Sequence, residues 1–450
     1  MNLSTVEALI RERSEAYLEK LFVLLRQKSI SAQNIGMKEC ASLVQQLFTE
    51  CGIPSRIYET KGMPIVYGEI SRPENRFTLL IYGHYDVQPP EPLEKWLSDP
   101  FEPTIREGRI YCRGAGDNKG QFVAHLLAIR TYLDVYGDLP INVKFIIEGE
   151  EEIGSLNLPT FVKEHQDMLK ADLVYTADGS SHESGAQSLL LGVRGLLYLE
   201  MTAKGAEWDN HSGNKGNIVP NPVWKLIDLL GTMRNEKGDI LIEGFHDSIR
   251  QPSELDKQLM RAIPFDLHEV KEKIGYPALN MDGETYQRKL MFEPTFNICG
   301  IHSGYTGEGV KTIIPSTATV KIDIRLVPDQ DPDHIYDCIS RHIQKHAPDI
   351  ELSKPLYAVP PSRTASDLDC VRVVAEAAEA STGRKPIIQP SLGGSLPDYI
   401  WTKLLGLPSI NAPYANFDQG NHSPNENIKL ENFFTGIKST CYVIHKLSQL

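Results

Sequence analysis

Apolar positions along the chain follow two different periods, and each period dominates its own region. Up to about residue 194, short apolar runs of strand length alternate with amphipathic segments of helical spacing. This alternation is typical of an α/β layer with a mostly parallel sheet. The pattern predicts an amphipathic helix over residues 5–28 behind a Ser4/Thr5 cap. It then predicts, in chain order, a helix over 38–51, strands over 56–58, 65–70 and 78–82, a helix over 122–136, a strand over 141–147, a helix near 158–169 and a strand over 173–175.

From Gly195 onward, apolar and polar residues alternate as they do in half-buried antiparallel strands. This second region contains predicted strands over 196–202, 295–299 and 317–326 and helices near 222–235 and 332–346. Between its halves, residues 236–293 are polar and weakly periodic, apart from a predicted helix near 254–262. The α/β pattern returns after residue 355, with helices over 367–381 and 430–447. The predicted organisation is therefore an α/β domain of residues 1–194 and 356–450, interrupted by an α+β domain of residues 195–355.

Charge and cysteine usage narrow the possible partners and compartments. The 450 residues carry a formal net charge of -13, which argues against nucleic acid or an anionic membrane as partner because both need a basic face. The seven cysteines are scattered and form no CxxC pair, which favours a reducing compartment and argues against thiolate ligation of a metal. No apolar run has the length of a membrane span, and no signal segment is evident. We expect a cytoplasmic protein.

The most unusual stretch is acidic. Glu148, Glu150, Glu151 and Glu152 fall within five positions at the end of the predicted strand 141–147. Like charges crowded at the edge of a core repel one another or take up protons unless a cation lies among them. A run of this kind can also be the solvated face of a helix, and the acidic residues alone leave both interpretations open.

Four further polar motifs follow predicted strands or lie in glycine-rich loops. They are His84 with Asp86, Asp117 within 113–120, Asp178 after the strand 173–175, and His422 within 420–426. Each alone has an ordinary structural interpretation, such as a core histidine or an aspartate capping a helix. Together they supply the imidazole and carboxylate ligands that suit two divalent, zinc-like ions about 3.5–4 Å apart. The carboxyl ends of parallel strands are where an open sheet gathers such ligands.

The order and spacing of these motifs resemble the M20 family of metallopeptidases, most closely its carnosinase-like and cysteinylglycine-type dipeptidases. The resemblance implies a dizinc exopeptidase (phosphorylase/hydrolase-like) catalytic domain with an inserted lid, or dimerisation, domain. It implies two ions per chain, with Zn²⁺ expected and Mn²⁺ or Co²⁺ as alternatives. The roles it implies are His84 and Asp178 as ligands of one ion, Glu152 and His422 as ligands of the other, Asp117 as the bridge, Glu151 as general base for a metal-activated water, and Asp86 as the partner that orients His84.

The same resemblance implies a substrate site and a homodimer formed through the lid. His211, within the segment 210–213, resembles the lid histidine that reaches the active site of the neighbouring subunit. Thr312 and Arg325 resemble the segment that binds the substrate carboxylate, a contact that a guanidinium can make in a bidentate manner. Gly394 and Ser395 resemble the loop that lines the substrate pocket.

Three departures from the family pattern leave the substrate open. Asn118 stands where many members have a second acidic residue, Ser391-Leu392 stands where dipeptidases often have Arg-Glu, and residues 359–363 lack a histidine often found there. The expected function is hydrolysis of a dipeptide or another small amide with a free carboxylate. An N-acyl-amino-acid deacylase is the alternative. A non-catalytic binding protein of the same fold is less favoured, because such a protein has no need of a base beside a metal.

Overall fold

A computed structural model describes residues 3–450, and its helices follow the amphipathic segments of the sequence. The helices are α1 (Leu3–Glu12), α2 (Ser14–Arg26), α3 (Met37–Glu50), α4 (Lys119–Tyr136), α5 (Leu158–Glu164), α6 (Ser212–Lys215), α7 (Pro222–Met233), α8 (Glu254–Ala262), α9 (Leu267–Ile274), α10 (Gly283–Phe292), α11 (Pro332–His346), α12 (Asp369–Thr382) and α13 (Leu430–Leu447). Short 3₁₀ turns occur at Ser31–Gln33, Leu93–Lys95 and Glu151–Ile153, and a π turn at Ile400–Leu404.

The strands fall into one large sheet and several smaller ones. They are β1 (Ser55–Tyr58), β2 (Ile65–Ile70), β3 (Thr78–His84), β4 (Thr104–Arg106), β5 (Arg109–Tyr111), β6 (Asn142–Glu148), β7 (Leu173–Thr176), β8 (Ser188–Leu190), β9 (Gly192–Val193), β10 (Gly195–Lys204), β11 (Asn210–His211), β12 (Asn297–Ser303), β13 (Ile313–Ile314), β14 (Thr317–Leu326), β15 (Glu351–Leu352), β16 (Tyr357–Val359), β17 (Ser362–Arg363), β18 (Ile387–Gln389), β19 (Ser409–Asn411) and β20 (Asn427–Lys429).

The large sheet has eight strands in the order β1-β2-β6-β3-β7-β19-β8-β18, and its centre is parallel from β6 to β19. Alternate residues of β3 enter opposite cores: Leu79 and Ile81 pack with α3, α4 and α13 on one face, and Leu80 and Tyr82 pack with α5 and Trp401 on the other. Side chains of a strand point alternately to its two faces, so both faces of this sheet are covered. The predicted α/β fold class is confirmed.

A second sheet is antiparallel and has its own core. Its strands run in the order β12-β14-β10-β15, with β16 also paired to β10. Buried residues alternate along β10 and β14, and they pack under α7 and α11. The edge strand β12 carries exposed apolar side chains, among them Ile298 and Ile301.

Two expectations about the helices need correction. The helix predicted over 5–28 is interrupted at Arg13, which forms an ion pair with Asp134 of α4. Residues 236–293 hold two further helices, α9 and α10, whose short and polar sequences gave little periodic signal. Within this segment, α8 and α10 pack on the large sheet, because Met260, Ile263, Met291 and Phe292 cluster with Ile387 of β18.

Among residues 3–450, no helix combines the length and apolar character needed to cross a membrane.

Candidate metal centre

The polar motifs of the sequence converge at the carboxyl end of the large sheet. His84 is the last residue of β3, the acidic run begins at the last residue of β6, and Asp178 lies two residues beyond β7. Because β6, β3 and β7 are adjacent and parallel, their carboxyl ends lie side by side. Asp117 precedes α4 on the same side, and His422 lies in the loop before β20.

The first half of the centre surrounds His84. Its Nε2 is buried and makes no hydrogen bond to any group within residues 3–450, although three carboxylates face it. The Nε2 lies 3.2 Å from Asp117 Oδ1, 3.6 Å from Asp178 Oδ2 and 3.9 Å from Glu151 Oε2.

The second half surrounds His422. Its Nε2 lies 3.2 Å from Asp117 Oδ2 and 3.1 Å from Glu152 Oε2. The two carboxylate oxygens of Asp117 therefore face two different histidines. This is the arrangement expected of a carboxylate shared by two ions.

The donor set fits divalent zinc-like ions. Bonds of about 2.1 Å in a tetrahedron place neighbouring ligand atoms about 3.4 Å apart, close to the separations around His84 and His422. One ligand atom each from His84, Asp117 and Glu152 lie within 4.8 Å of one another. The unpartnered Nε2 of His84 also fits, since a ligand atom needs a free lone pair directed at the ion.

The acidic run divides into two structural and two site-facing residues. Glu148 is buried and accepts hydrogen bonds from Tyr82 at 2.6 Å and Ser155 at 2.8 Å. Glu150 is also buried and accepts from the backbone N–H of Met63 at 3.1 Å. Glu151 and Glu152 sit in the 3₁₀ turn that follows and reach the histidines. The first two glutamates of the acidic run therefore have structural hydrogen bonds, and the two in the turn face the proposed metal site.

Asp86 links the two sides of the centre. Its Oδ1 lies 3.3 Å from His84 Nδ1, and its carboxylate accepts the backbone N–H groups of Glu151 at 3.3 Å and Glu152 at 3.0 Å. A single buried carboxylate thus orients the imidazole and holds the turn that carries Glu151 and Glu152.

Glu426 plays a similar part for Asp117, and no role was predicted for it from the sequence. It is fully buried and accepts hydrogen bonds from Arg113 Nη1 at 2.8 Å and from the backbone N–H groups of Gly116 and Asp117, each at 2.9 Å. The signal that could have identified it is its place four residues after His422, in the same motif. Its partners lie more than 300 positions away, and no local pattern reports that contact.

Three amides restrain other residues of the centre. Asn118 donates to the carbonyl of Ala177 at 2.6 Å and accepts from the N–H of His84 at 3.4 Å, so it joins the ends of β3 and β7. Asn411 exchanges hydrogen bonds with the backbone of Asp178, and Gln88 donates to Glu152 at 3.0 Å. A carboxylate at position 118 could not donate to Ala177, which gives the amide at this departure from the family pattern a local reason.

Ionisation in the centre reflects the crowding of charge. Burial would lower the pKa of His84, but the carboxylates of Asp117 and Asp178 raise it well above its usual value. Asp117 and Glu152 raise the pKa of His422 to about 10. Burial raises the pKa of Glu151 well above its usual value. The carboxylates and imidazoles therefore compensate one another, as a bound cation would do more effectively.

A cleft of about 500 Å³ opens in front of the centre, and Asp117, Glu151, Asp178 and His422 contribute to its wall. Nearby, Arg325 Nη1 donates to Ser395 Oγ at 2.8 Å, and Arg194 Nε donates to the carbonyl of Gly393 at 2.8 Å. Burial, and then the charge of Arg325, lower the pKa of Arg194 to about 10. Arg325, Gly394 and Ser395 thus lie in one region, together with the guanidinium of Arg194, which no sequence motif indicated.

His211 and Thr312 lie elsewhere. His211 lies in a small ribbon in which β11 pairs with β13, and Thr312 immediately precedes β13. The backbone N–H of Ser212 donates to the carbonyl of Thr312 at 3.2 Å. Both residues are exposed, and neither is among the described residues that line the cleft. The Nδ1 of His211 accepts from the N–H of Gly213 at 3.0 Å. A neutral imidazole with an accepting Nδ1 carries its hydrogen on Nε2, so the free edge of His211 is a donor.

Comparison with known proteins gives a consistent result. Residues 80–446 match the sequence family described as peptidase family M20/M25/M40. A Cys-Gly metallodipeptidase of Schizosaccharomyces pombe is 28% identical over 478 residues, covering 100% of this chain and 99% of the relative. A Beta-Ala-His dipeptidase of Mus musculus is 30% identical over 83% of this chain and 78% of its own length. The crystal structure of an M20 family metallo-carboxypeptidase from Sulfolobus solfataricus is 36% identical, covers 96% of this chain and 99% of its own, and superposes with a TM-score of 0.84.

Proposed function

Because the chain belongs to peptidase family M20/M25/M40, we propose that it is a dipeptidase that hydrolyses the amide bond of small peptides with a free carboxylate. The chain is an enzyme of this family, and the M20 resemblance seen in its motifs is confirmed. The observation that carries the proposal is the placement of two imidazoles on opposite oxygens of Asp117, each 3.2 Å away. Relatives named for Cys-Gly and Beta-Ala-His peptides support the choice of dipeptides.

His84 and Asp178 would hold one divalent ion, Glu152 and His422 the other, and Asp117 would hold both. When bound, such ions polarise a carbonyl and lower the pKa of water towards neutrality. We expect zinc in both positions, since the imidazole and carboxylate donors match its preferences.

Glu151 is the proposed general base. Its carboxylate borders the cleft and lies farther from the nearest imidazole nitrogen, at 3.9 Å, than that of Glu152, at 3.1 Å. A carboxylate that is near the reacting atoms but not used as a ligand can take a proton from the attacking water and return it to the departing amine.

The substrate carboxylate has a suitable partner in Arg325, with Ser395 and Gly394 beside it. The hydroxyl of Ser395 already accepts a hydrogen bond from Arg325, and an anionic ligand could take the remaining donors of the guanidinium. Arg194 would add a second positive charge near the same loop.

The antiparallel region, residues 195–355, is the proposed lid and dimerisation domain. Exposed Ile298 and Ile301 on the edge strand β12 favour pairing with a second copy across a two-fold axis. In such a dimer, we infer that His211 donates from Nε2 to the oxyanion that develops in the partner's site, and Thr312 lies beside it. All seven cysteines are free, which supports a cytoplasmic location.

A panel of dipeptides tested against matched N-acetyl amino acids, with and without a chelator, would test this function. The proposal expects hydrolysis of dipeptides that is lost with the chelator and restored by zinc. Preferential hydrolysis of the N-acetyl amino acids would favour a deacylase instead.

A further inference from the structure

A second, narrower cavity adjoins the main cleft, and Glu151 and Asp178 are among the residues that line both. Its remaining walls are largely apolar, with Leu190, Val193, Leu396 and Trp401 among them. The cavity therefore extends from the proposed reacting groups into an apolar region between the loop 393–397 and the large sheet.

One carboxylate stands among these apolar walls. Asp398 follows the substrate loop directly, and its Oδ1 accepts a hydrogen bond from Ser409 Oγ at 2.6 Å. The carboxylate of Asp398 also accepts a hydrogen bond from the hydroxyl of Ser362. Within residues 3–450, no lysine, arginine or histidine pairs with this carboxylate.

An unpaired carboxylate in such a position is costly. Burial raises the pKa of Asp398, because a charged form without a counter-ion is poorly solvated in an apolar setting. Two hydroxyl donors offset only part of that cost. A cationic ligand would supply the missing counter-charge.

The size of the cavity limits which cation can enter. It holds about 30 Å³, and a single water needs roughly 10–15 Å³ measured in the same way. The space suits the end of a linear chain, such as a primary ammonium. A planar ring or a branched group would not fit without movement of the walls.

We propose that this cavity binds a primary ammonium group of the substrate, with Asp398 as counter-ion and the apolar walls around the aliphatic stem. The inference rests on the proposed function, because the cavity opens onto the proposed catalytic residues. Such an ammonium has two possible sources in a dipeptide: a lysine-type side chain or the free amino terminus.

Binding to the zinc-loaded Glu151→Gln protein tests the proposal without turnover. Calorimetry would compare lysyl-glycine with norleucyl-glycine, which tests a side-chain ammonium. It would also compare glycyl-norleucine with its N-acetyl form, which tests the amino terminus. The Asp398→Asn change would be added to the same protein, and Asp369→Asn, at an exposed carboxylate on α12, is the matched control.

We expect one of the two comparisons to favour the ammonium form by at least about 10-fold, as for a charge-assisted hydrogen bond. Asp398→Asn should remove that preference, and Asp369→Asn should keep it. An equal affinity for charged and uncharged forms before any change at Asp398 would overturn the inference. A uniform loss of affinity for all four peptides in Asp398→Asn, with a lower Tm, would also overturn it, because that result indicates a structural role.

The proposed function has a separate test in the same experiment. If the unsubstituted enzyme hydrolyses none of the dipeptides, the dipeptidase proposal is wrong, whatever the binding preference. If it hydrolyses them while neither comparison depends on Asp398, the cavity does not bind an ammonium group and the dipeptidase proposal stands.

Discussion

His84 and His211 lie in opposite environments, and the contrast separates two kinds of functional site. His84 is fully buried at the end of a central strand, with Asp86 on one ring nitrogen and carboxylates facing the other. His211 is exposed on a two-stranded ribbon, and its Nδ1 accepts a bond from its own turn. All the groups that surround His84 belong to the same chain. In the proposed function, by contrast, the Nε2–H of His211 donates to an acceptor in the active site of a second subunit.

The largest expected effect separates the two neighbouring glutamates of the buried site. Glu151→Gln should keep both ions and lower kcat by about 10²–10⁴-fold, as expected for loss of a general base. Glu152→Gln should instead lose metal, since its carboxylate faces His422 at 3.1 Å. Metal content and steady-state rates measured on both variants check this assignment. The reverse pattern would show that the roles of the two residues are exchanged.

The exposed site is tested by His211→Ala. Loss of one donor to an oxyanion commonly costs about 10²–10³-fold in kcat, and we expect metal content to stay unchanged. Mixing His211→Ala subunits with Glu151→Gln subunits should restore about a quarter of the wild-type activity, because half of the dimers are mixed and each has one intact site. Absence of complementation after demonstrated subunit exchange would contradict the action in trans.

A smaller effect is expected from the contacts behind the buried site. Glu426→Gln leaves the buried Arg113 without its ion-pair partner and weakens the support of Asp117. Loss of such outer contacts typically lowers metal affinity about 10–100-fold. Competition with a chromophoric chelator measures this change, and Glu431→Gln, at an exposed residue of α13, is the control. Equal affinities in the two variants would remove the positioning role.

The smallest effect concerns the docking of α8 on the large sheet. Burial would raise the pKa of Asp256, but hydrogen bonds from Ser366 and Arg363 hold it below its usual range. A carboxylate whose pKa is lowered in the folded state stabilises the fold at any pH above its pKa in the unfolded state, about 3.9. This stabilisation is lost as the pH falls through the pKa of the folded state.

Asp256→Asn should therefore cost about 1.5–3 kcal/mol of local stability near pH 7, and this cost should shrink as the pH is lowered below about 3.9. Hydrogen exchange of α8 and α10, corrected for the intrinsic rate at each pH, measures the difference. The control is Glu284→Gln, which breaks the exposed pair with Arg261, and exposed pairs contribute little. A cost at pH 7 no larger than that of the control would contradict this account.

Elements of the fold could be predicted from the sequence where their signal lies in neighbouring residues, and not where it depends on contacts between distant segments. Helix α8 follows Ser253, whose side chain forms a capping box with Asp256, and its predicted bounds agree with the structure. Helix α9 has no buried residue, so apolar periodicity could not reveal it. The packing of α8 and α10 on β18 depends on contacts between distant segments and had no sequence signal.

The candidate site divides in the same way. Four of the five predicted ligands come together because His84, Glu152 and Asp178 lie at or just beyond the ends of adjacent strands, and Asp117 precedes α4 on the same side. The fifth, His422, lies in the loop before β20, outside the large sheet, and joins them through long-range packing. Glu426, Asn411 and Gln88 act through hydrogen bonds to residues far along the chain, and such polar residues resemble ordinary loop residues in sequence. Asp398 was missed because its setting depends on the apolar walls that surround it.

The central claim is that Asp117 binds two metal ions, one on the side of His84 and the other on the side of His422. Anomalous diffraction from zinc-loaded crystals of the wild-type and Asp117→Ala proteins tests it directly. The account predicts two ions in the wild type, one on each side of Asp117, and loss of the paired site in the variant, because one carboxylate would ligate both. A single wild-type ion, no ion beside Asp117, or a variant that keeps both ions would contradict it.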